Sequence, residues 1–332
     1  MKLYISMILL AITTISCGQP PAFVRKELPG SPSKDDNDSI ADANKNPNTK
    51  SPVGVSIGES DVIVNIGKPK NPIPKNDVTA DSCREKGLKL VAPNIVFTID
   101  NSGSNKGNGS TEVATDCPDK VDNKCTGETV RKKTLLHVVG ELRTLDAQNA
   151  DSAATSYYSI VEFATNAQLR LGTSSTSGVP NLDVLSGIMD FTKTPEGYTS
   201  YVSAFNMAQS ILSSSANPSV SNKPKVVIKI TDGFPTNKPE EVLAAAKAVK
   251  NTGAKIITIV YTREDLFSTV ASQWEKSADK LGFSKAQKDW TLGRGRDSII
   301  SDISDHALLV KDVSKLPEVV SYLVNRVALK CE

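Results

Sequence analysis

The sequence has few histidines and lacks the charge excess of a nucleic-acid-binding protein. Its 332 residues include only two histidines, and neither His137 nor His306 stands near a serine in a nucleophile-elbow pattern. Basic and acidic residues number 39 and 37 and are interspersed. This balance argues against nucleic acid or an anionic membrane surface as the main partner. We therefore expect a binding role rather than an enzyme.

The apolar run at the amino terminus is too short to span a bilayer. Residues 3–15 follow a single base, Lys2, and have the form of a secretory signal. The run ends in Thr-Ile-Ser-Cys-Gly at residues 14–18, which resembles a bacterial lipobox. This resemblance implies that a signal peptide, residues 1–16, is removed and that Cys17 becomes a lipidated amino terminus. More than one acyl chain would anchor it stably. An ordinary secretion signal with an incidental cysteine is the alternative.

Residues 17–82 have the composition of a flexible tether. They hold half of the 18 prolines, many polar residues and a single aromatic side chain, Phe23. Such a segment buries too little apolar surface to offset the entropy of ordering. Apolar residues alternate within residues 53–66, a pattern that also fits a marginal hairpin or an added edge strand. We expect mostly disorder here and place the folded domain at residues 83–332.

Strand and helix patterns alternate along the predicted domain. Apolar runs predict strands at residues 95–99, 157–163, 226–230, 256–260 and 307–310. Helical spacing of apolar residues predicts helices at 128–148, directly after Thr199, at 239–250 and at 316–329. Residues 168–171 fit a short antiparallel partner strand. The alternation predicts a doubly wound α/β fold: a mostly parallel sheet, helices on both faces and one antiparallel edge strand.

Oxygen-bearing side chains follow the first of these strands directly. Asp100, Ser102 and Ser104 stand at i, i+2 and i+4, where the strand gives way to a glycine-containing loop. Asp232 ends another buried strand and Thr199 opens a helix on the same rim, and ligands of such sheets lie outside the carboxyl ends of the strands. Carboxylate and hydroxyl oxygens are ligands that Mg²⁺, Mn²⁺ or Ca²⁺ prefer. The sequence therefore predicts a divalent-cation site at this rim.

This combination resembles the von Willebrand factor type A domain with a complete metal-ion-dependent adhesion site. The Asp-x-Ser-x-Ser motif matches residues 100–104, the distal threonine matches Thr199 in Gly-Tyr-Thr-Ser, and the second aspartate matches Asp232 in Thr-Asp-Gly. The resemblance covers about residues 93–329 and implies a Rossmann-like fold. It also implies a bound cation, Mg²⁺ before Mn²⁺ or Ca²⁺, and a protein partner whose Asp or Glu completes the metal shell.

Two segments enlarge the loops expected at the metal face, residues 105–127 and 263–296. We predict that both set partner choice, with tolerated surface insertions as the alternative. In the second segment, Trp290, Arg294 and Arg296 form a candidate partner-binding patch, although Trp290 would equally anchor the segment against the core. Acidic residues of the first segment fit either a second cation site or a solvated acidic loop: Asp116, Asp119, Asp122 and Glu128.

Four cysteines remain if Cys17 carries lipid, an even number that suits an oxidising compartment. Of three possible connectivities we predict Cys83 with Cys331, which bracket the domain, and Cys117 with Cys125, which lie within one loop. A zinc site is the competing interpretation. The sequence offers no Cys-x-x-Cys for it and no histidine near a cysteine.

Taken together, these features predict an envelope protein whose domain lies outside the cytoplasm, lipid-anchored to a membrane, the outer one if the cell has two. The leading function is that of an adhesin or surface receptor that binds a protein partner through the cation. The alternative is a periplasmic scaffold subunit of a secretion, pilus or cell-wall assembly complex. A metal-assisted hydrolase is the third option, for which the sequence offers no evident base.

Overall fold

Seven strands form one central sheet. A computed structural model describes residues 63–66, 73–103, 120–121, 124–125, 129–148, 155–176, 197–214, 218–262, 264–294 and 297–332. The strands are β1 Ile63–Asn65, β2 Leu90–Val91, β3 Asn94–Asp100, β4 Lys120–Val121, β5 Lys124–Cys125, β6 Tyr157–Phe163, β7 Ala167–Ser175, β8 Lys225–Thr231, β9 Lys255–Tyr261, β10 His306–Val310 and β11 Lys330–Cys331. The order in the sheet is β1-β10-β9-β8-β3-β6-β7, while β2 pairs with β11 and β4 with β5.

The five inner strands are parallel, and both edge strands are antiparallel. β3 lies between β6 and β8, β9 pairs with β8, and β10 pairs with β9. The antiparallel edge predicted at residues 168–171 is β7, which is longer than expected and runs antiparallel to β6. The predicted α/β class is confirmed, and the carboxyl ends of the parallel strands share one rim of the sheet.

Helices cover both faces of the sheet. They are α1 Ala80–Arg84, α2 Val130–Gln148, α3 Tyr201–Ser214, α4 Pro218–Ser221, α5 Pro239–Lys250, α6 Glu264–Lys280, α7 Lys285–Leu292, α8 Ile299–Ile303 and α9 Leu316–Leu323. One apolar core lies between the sheet and α2 with α9, and a second lies between the sheet and α3, α5 and α6 to α8. No helix among the described residues is long and apolar enough to cross a membrane.

The predicted closing helix at 316–329 changes its geometry partway. A short 3₁₀ turn, Val313–Lys315, leads into α9. α9 ends at Leu323, and the chain continues as a π-helical turn, Val324–Ala328. The wider turn keeps Val324, Val327 and Ala328 in the core. The apolar periodicity therefore identified the buried face correctly but did not reveal the change of helix type.

The edge strand β1 corrects part of the tether prediction. Residues 63–65 pair with Leu308–Val310 of β10, and the Ile66 N–H donates to the Ala307 carbonyl at 2.8 Å. Without this strand, one edge of β10 would present a row of unpaired backbone groups. The added edge strand was the alternative that the alternating pattern left open. Residues 17–62, which include Cys17, lie outside the described residues.

A disulfide joins the two ends of the predicted domain, which confirms the pairing of Cys83 with Cys331. It lies beside the β2–β11 pair, where Lys89 and Glu332 exchange backbone hydrogen bonds of 2.7 and 2.9 Å. Cys83 packs with Leu90 and Leu329 in a small apolar cluster. The predicted partner pair stays a prediction, because Cys117 and the side chain of Cys125 lie outside the described residues.

Candidate metal centre

The carboxyl end of β3 places Asp100 at the rim of the sheet with its side chain fully buried. Its Oδ1 accepts a hydrogen bond from the Ser102 backbone N–H at 2.8 Å, and its Oδ2 accepts one from the Thr231 hydroxyl at 2.5 Å. Thr231 comes from the neighbouring strand β8. These two hydrogen bonds, one to each oxygen, hold the carboxylate in a defined orientation.

Ser102 and Thr199 meet beside this carboxylate. The Thr199 hydroxyl donates to Ser102 Oγ at 3.0 Å, although 97 positions separate the two residues. Thr199 precedes α3, and its carbonyl accepts hydrogen bonds from the backbone N–H and the hydroxyl of Thr236 at 2.9 and 3.2 Å. The structure thus brings together the loop after β3, the start of α3 and the loop after β8.

Asp232 follows β8 directly and is almost fully buried. The Tyr201 phenol donates to the Gly233 carbonyl at 2.7 Å and so holds the loop of Asp232 against α3. Burial raises the pKa of Tyr201 well above its usual value, and the charges of Asp100 and Asp232 raise it further. Both carboxylates therefore lie near one phenol, on the same part of the rim.

Gly197 holds the chain in position just before Thr199. Its φ is +83°, and its carbonyl accepts a hydrogen bond from the Gly103 N–H at 3.2 Å. The next residue, Tyr198, donates its N–H to Thr165 Oγ1 at 3.0 Å. A Cβ at position 197 would collide with that threonine hydroxyl. Both the left-handed backbone and the lack of space therefore require glycine here.

We expect Gly197→Ala to lower the free energy of unfolding by about 2 kcal/mol, because it adds backbone strain and a steric clash. The matched control is Gly87→Ala, whose φ is +69° but whose Cβ would meet no atom within 4 Å. Strain alone should cost the control about 1 kcal/mol. Urea unfolding of both variants measures the difference, and equal losses would contradict a role for the Thr165 contact.

A lysine lies buried beneath this centre. Lys229 is fully buried on β8, opposite Thr98 of β3, and its amine stands over the rings of Tyr201 and Phe163. The amine has no hydrogen-bond partner among the described residues. Burial lowers the pKa of Lys229 well below its usual value, against the opposing charge of Asp100. Burial of this amine therefore carries a desolvation cost that the charge of Asp100 only partly offsets, close to the predicted cation ligands.

A chain of polar contacts fixes the backbone of the loop after β3. The Arg131 guanidinium, itself buried on α2, donates to the Asp100 carbonyl and to Asn101 Oδ1, the latter at 3.2 Å. Asn101 Nδ2 donates to Glu162 Oε1 at 2.5 Å, and Glu162 also pairs with Arg170. Together these contacts hold the residue between the two predicted ligands Asp100 and Ser102.

Sequence reasoning did not identify the supporting residues of the centre, which are Thr231, Tyr201, Gly197, Arg131 and Lys229. Two of them left a signal. Lys229 is the one charged residue within the apolar run 226–230, and Gly197 is the glycine of the Gly-Tyr-Thr-Ser segment. The other three act through contacts between distant parts of the chain, which local spacing does not reveal.

The donor set fits a hard divalent cation. Two carboxylates balance the charge of such an ion, and the hydroxyls of Ser102 and Thr199 add neutral oxygens 3.0 Å apart. Ser104 and the acidic residues proposed for a second site lie outside the described residues. Within the part of the chain that the structure describes, no three His, Cys, Asp or Glu side chains cluster in a way that could hold a metal ion. A cation bound here would need hydroxyl as well as carboxylate donors.

The second enlarged segment packs against the loop that carries Asp232. Trp274 of α6 contacts Phe234 with its ring, at 5.9 Å between centroids, and donates its indole N–H to the Pro235 carbonyl at 2.8 Å. The segment is thus joined to the predicted metal face through residues 234–235.

The candidate partner-binding residues of this segment make contacts within the chain. Trp290 packs against the core and donates its indole N–H to Asp302 at 2.7 Å. This anchoring role is the alternative that the sequence left open. Arg294 forms a two-pronged ion pair with Glu275, with both distances 2.9 Å, and Arg296 lies outside the described residues. A role in partner contact stays a prediction.

Neither histidine lies at the centre. His137 is half-exposed on α2, where it approaches Glu141 at 3.3 Å. His306 begins β10, at the rim opposite Asp100, and burial lowers its pKa.

Several solved structures resemble this fold at low identity. An aerotolerance-related membrane protein from Bacteroides fragilis is 17% identical over 51% of this chain and 67% of its own, with a TM-score of 0.32. Proximal thread matrix protein 1 from the mussel byssus, solved with a zinc-occupied MIDAS motif, is 17% identical over 73% and 47%, with a TM-score of 0.42. The pilus adhesin SpaC from Lactobacillus rhamnosus GG is 12% identical over 80% and 36%, also with a TM-score of 0.42. These values are too low to indicate a shared function.

No curated protein matches the chain. The family model of the von Willebrand factor type A domain, however, matches residues 94–273, which run from the start of β3 into α6. The match spans more than half of the chain and contains every predicted cation ligand. The chain belongs to the von Willebrand factor type A domain family.

Proposed function

We propose that this chain is an envelope-anchored binding protein that recognises a protein partner through a divalent cation, as an adhesin or surface receptor. The cation, Mg²⁺ before Mn²⁺ or Ca²⁺, would be held by Asp100, Ser102, Ser104, Thr199 and Asp232. When bound, the cation would act as a Lewis acid to which an Asp or Glu carboxylate of the partner binds. Binding of this kind needs no covalent step, so we assign no catalytic residue.

The observation that carries the proposal is the contact between Thr199 and Ser102. Their hydroxyls lie 3.0 Å apart beside the buried carboxylate of Asp100, which the Ser102 N–H and the Thr231 hydroxyl orient. Oxygens from separate parts of the chain thus converge at one place on the rim. A preorganised donor set reduces the conformational entropy that binding must overcome.

The surroundings of the centre suit a protein partner. Tyr198, directly before Thr199, is 55% exposed, and its backbone is held by Thr165. An exposed aromatic side chain on a fixed backbone is the type of residue that dominates protein–protein contacts. The enlarged segment that packs on residues 234–235 through Trp274 would shape the same face.

The compartment is part of the proposal. A disulfide that joins residues 83 and 331 is typical of a protein outside the cytoplasm. We propose that Cys17 carries lipid and that the segment after it links the domain to a membrane, the outer one in a cell that has two. The near balance of charge gives no reason to propose nucleic acid as a partner.

A thermal melt with added cation tests the proposal. At a free Mg²⁺, Mn²⁺ or Ca²⁺ concentration about ten times the Kd, binding should stabilise the oxidised domain by about 1.4 kcal/mol relative to EDTA. That corresponds to a rise in Tm of about 3–6 °C. Asp100→Ala and Asp232→Asn should abolish the rise, because each removes a charged ligand. Asp279→Asn, which alters an exposed acid on α6, is the matched control and should keep it. A parental response in Asp100→Ala would contradict the assignment.

A further inference from the structure

A cavity lined by lysines opens at the end of the sheet opposite the candidate metal centre. It encloses about 220 Å³ next to the first residues of β8 and β9 and beside β11. Strands of 7 residues separate the two ends of the sheet, a distance of about 20 Å. The cavity is therefore a separate place from the rim that holds Asp100 and Asp232.

Three lysines of this cavity form no ion pair with a carboxylate of the described residues. Lys225, Lys255 and Lys330 come from three different strands, and none forms an ion pair within the part of the chain that the structure describes. The Lys225 amine donates to the carbonyls of Leu212 and Thr252 at 3.4 and 3.3 Å. Those contacts position the amine but leave its charge uncompensated.

The charge of Lys255 also acts on its surroundings. Burial has the largest effect in lowering the pKa of His306, and the nearby Lys255 ammonium lowers it further. A positive field of this kind at the amino ends of the strands favours an anion.

The other charged residues that line the cavity are Lys223 and Glu332. Lys223 is 8% exposed, and burial lowers the pKa of its ammonium while the charge of Asp146 opposes that shift. Glu332 supplies the carboxylate side chain among the lining residues. Among the described lining residues, ammonium groups therefore outnumber carboxylate side chains, and the cavity carries an excess of positive charge.

We propose that this cavity binds a phosphate monoester group, carried either by a soluble phosphate ester or by a lipid headgroup. A phosphate dianion carries more negative charge than a carboxylate and therefore balances more of this positive excess. Ammonium groups are compact point charges that suit tetrahedral phosphate without requiring the planar geometry of a guanidinium. Gly253 lines the cavity without a side chain, and a Cβ there would meet nothing within 4 Å, so the space beside the lysines is open.

The test uses the whole oxidised protein in EDTA, so that the metal centre plays no part. One arm titrates glycerol 3-phosphate against sodium chloride of equal ionic strength and follows Tm. The other arm measures co-sedimentation with phosphatidylcholine vesicles that contain phosphatidic acid, compared with phosphatidylcholine alone. Binding to the soluble ester identifies a soluble ligand, and binding to the vesicles alone identifies a lipid headgroup.

The double variant Lys255→Gln/Lys330→Gln should weaken binding of the responding probe at least about tenfold, since it removes two charge-assisted contacts. Both side chains are exposed, so the fold should persist. The matched control Lys276→Gln/Lys280→Gln removes the same charge from α6, outside the cavity, and should bind like the parent. No saturable response in either arm, or an equal loss in the control, would overturn the proposal. The Mg²⁺ response of Asp100→Ala tests the metal centre alone, so the phosphate proposal and the proposed function can fail separately.

Discussion

The double variant Cys83→Ala/Cys331→Ala is expected to lose about 4–5 kcal/mol of unfolding free energy. The disulfide joins residues 248 positions apart, so its removal greatly increases the conformational freedom of the unfolded chain. What remains between the domain ends is the β2–β11 pair, two residues on each strand, with the backbone contacts of Lys89 and Glu332. A ladder this short is not stable by itself.

Urea unfolding of the oxidised parent and of the double variant measures this effect. Reduction of the parent is a less specific comparison, because it would also open the bridge predicted between Cys117 and Cys125. The single variant Cys331→Ala is the matched control, since it breaks the crosslink but keeps the buried Cys83 side chain. It should account for most of the loss. A loss below about 1 kcal/mol would show that packing around Leu90 and Leu329 holds the ends without the crosslink.

The inner strands and main helices were predictable because each carries a local signal. Helix α5 begins at Pro239, has Glu240 and Glu241 in its first turn and ends before Asn-Thr-Gly, and its bounds are those predicted. Strand β6 also has the predicted bounds. The parallel strands appear as apolar runs because helices cover both of their faces.

The edges of the sheet were less predictable, because edge strands carry weaker patterns. β7 continues past residue 171 through Gly172, Thr173 and Ser174, of which the first two are exposed, and this segment resembles a loop in sequence. β1 contributes three residues and pairs with a strand more than two hundred positions later. Its formation depends on the open edge of β10, which only the assembled sheet provides.

The candidate site was predictable where topology decides position. Asp100 and Asp232 end neighbouring parallel strands, so a rule about strand ends was enough to place them on one rim. The contacts that orient them were not predictable, since they come from side chains such as Tyr201 on other elements. Lys229 was visible as a charge within an apolar run, but a sequence does not say whether a lysine reaches solvent or stays buried.

The burial of the Lys229 amine is expected to destabilise the fold. Lys229→Met should therefore raise the free energy of unfolding by about 3 kcal/mol at pH 7. The amine is fully buried without a hydrogen-bond partner among the described residues. Removing it leaves Asp100 with the hydrogen bonds from Ser102 and Thr231. Methionine fills a similar volume beside the Tyr201 and Phe163 rings, and its thioether packs well against aromatic edges. The loss of the cation–π contact offsets part of the gain.

The pH dependence separates this explanation from a simple packing effect. Burial lowers the pKa of Lys229 in the folded state, whereas the unfolded chain keeps a value near 10.4. At pH values between these two pKa values, the unfolded chain holds a proton that the folded chain lacks. Parental stability attributable to this group therefore rises with pH across that window. Lys229→Met should lack the rise, and its advantage should shrink between pH 7 and pH 10 in urea unfolding. Lys255→Met, at an exposed strand position, is the control and should follow the parent. A Lys229→Met protein that is less stable than the parent at pH 7 would instead show a charged ammonium that compensates Asp100.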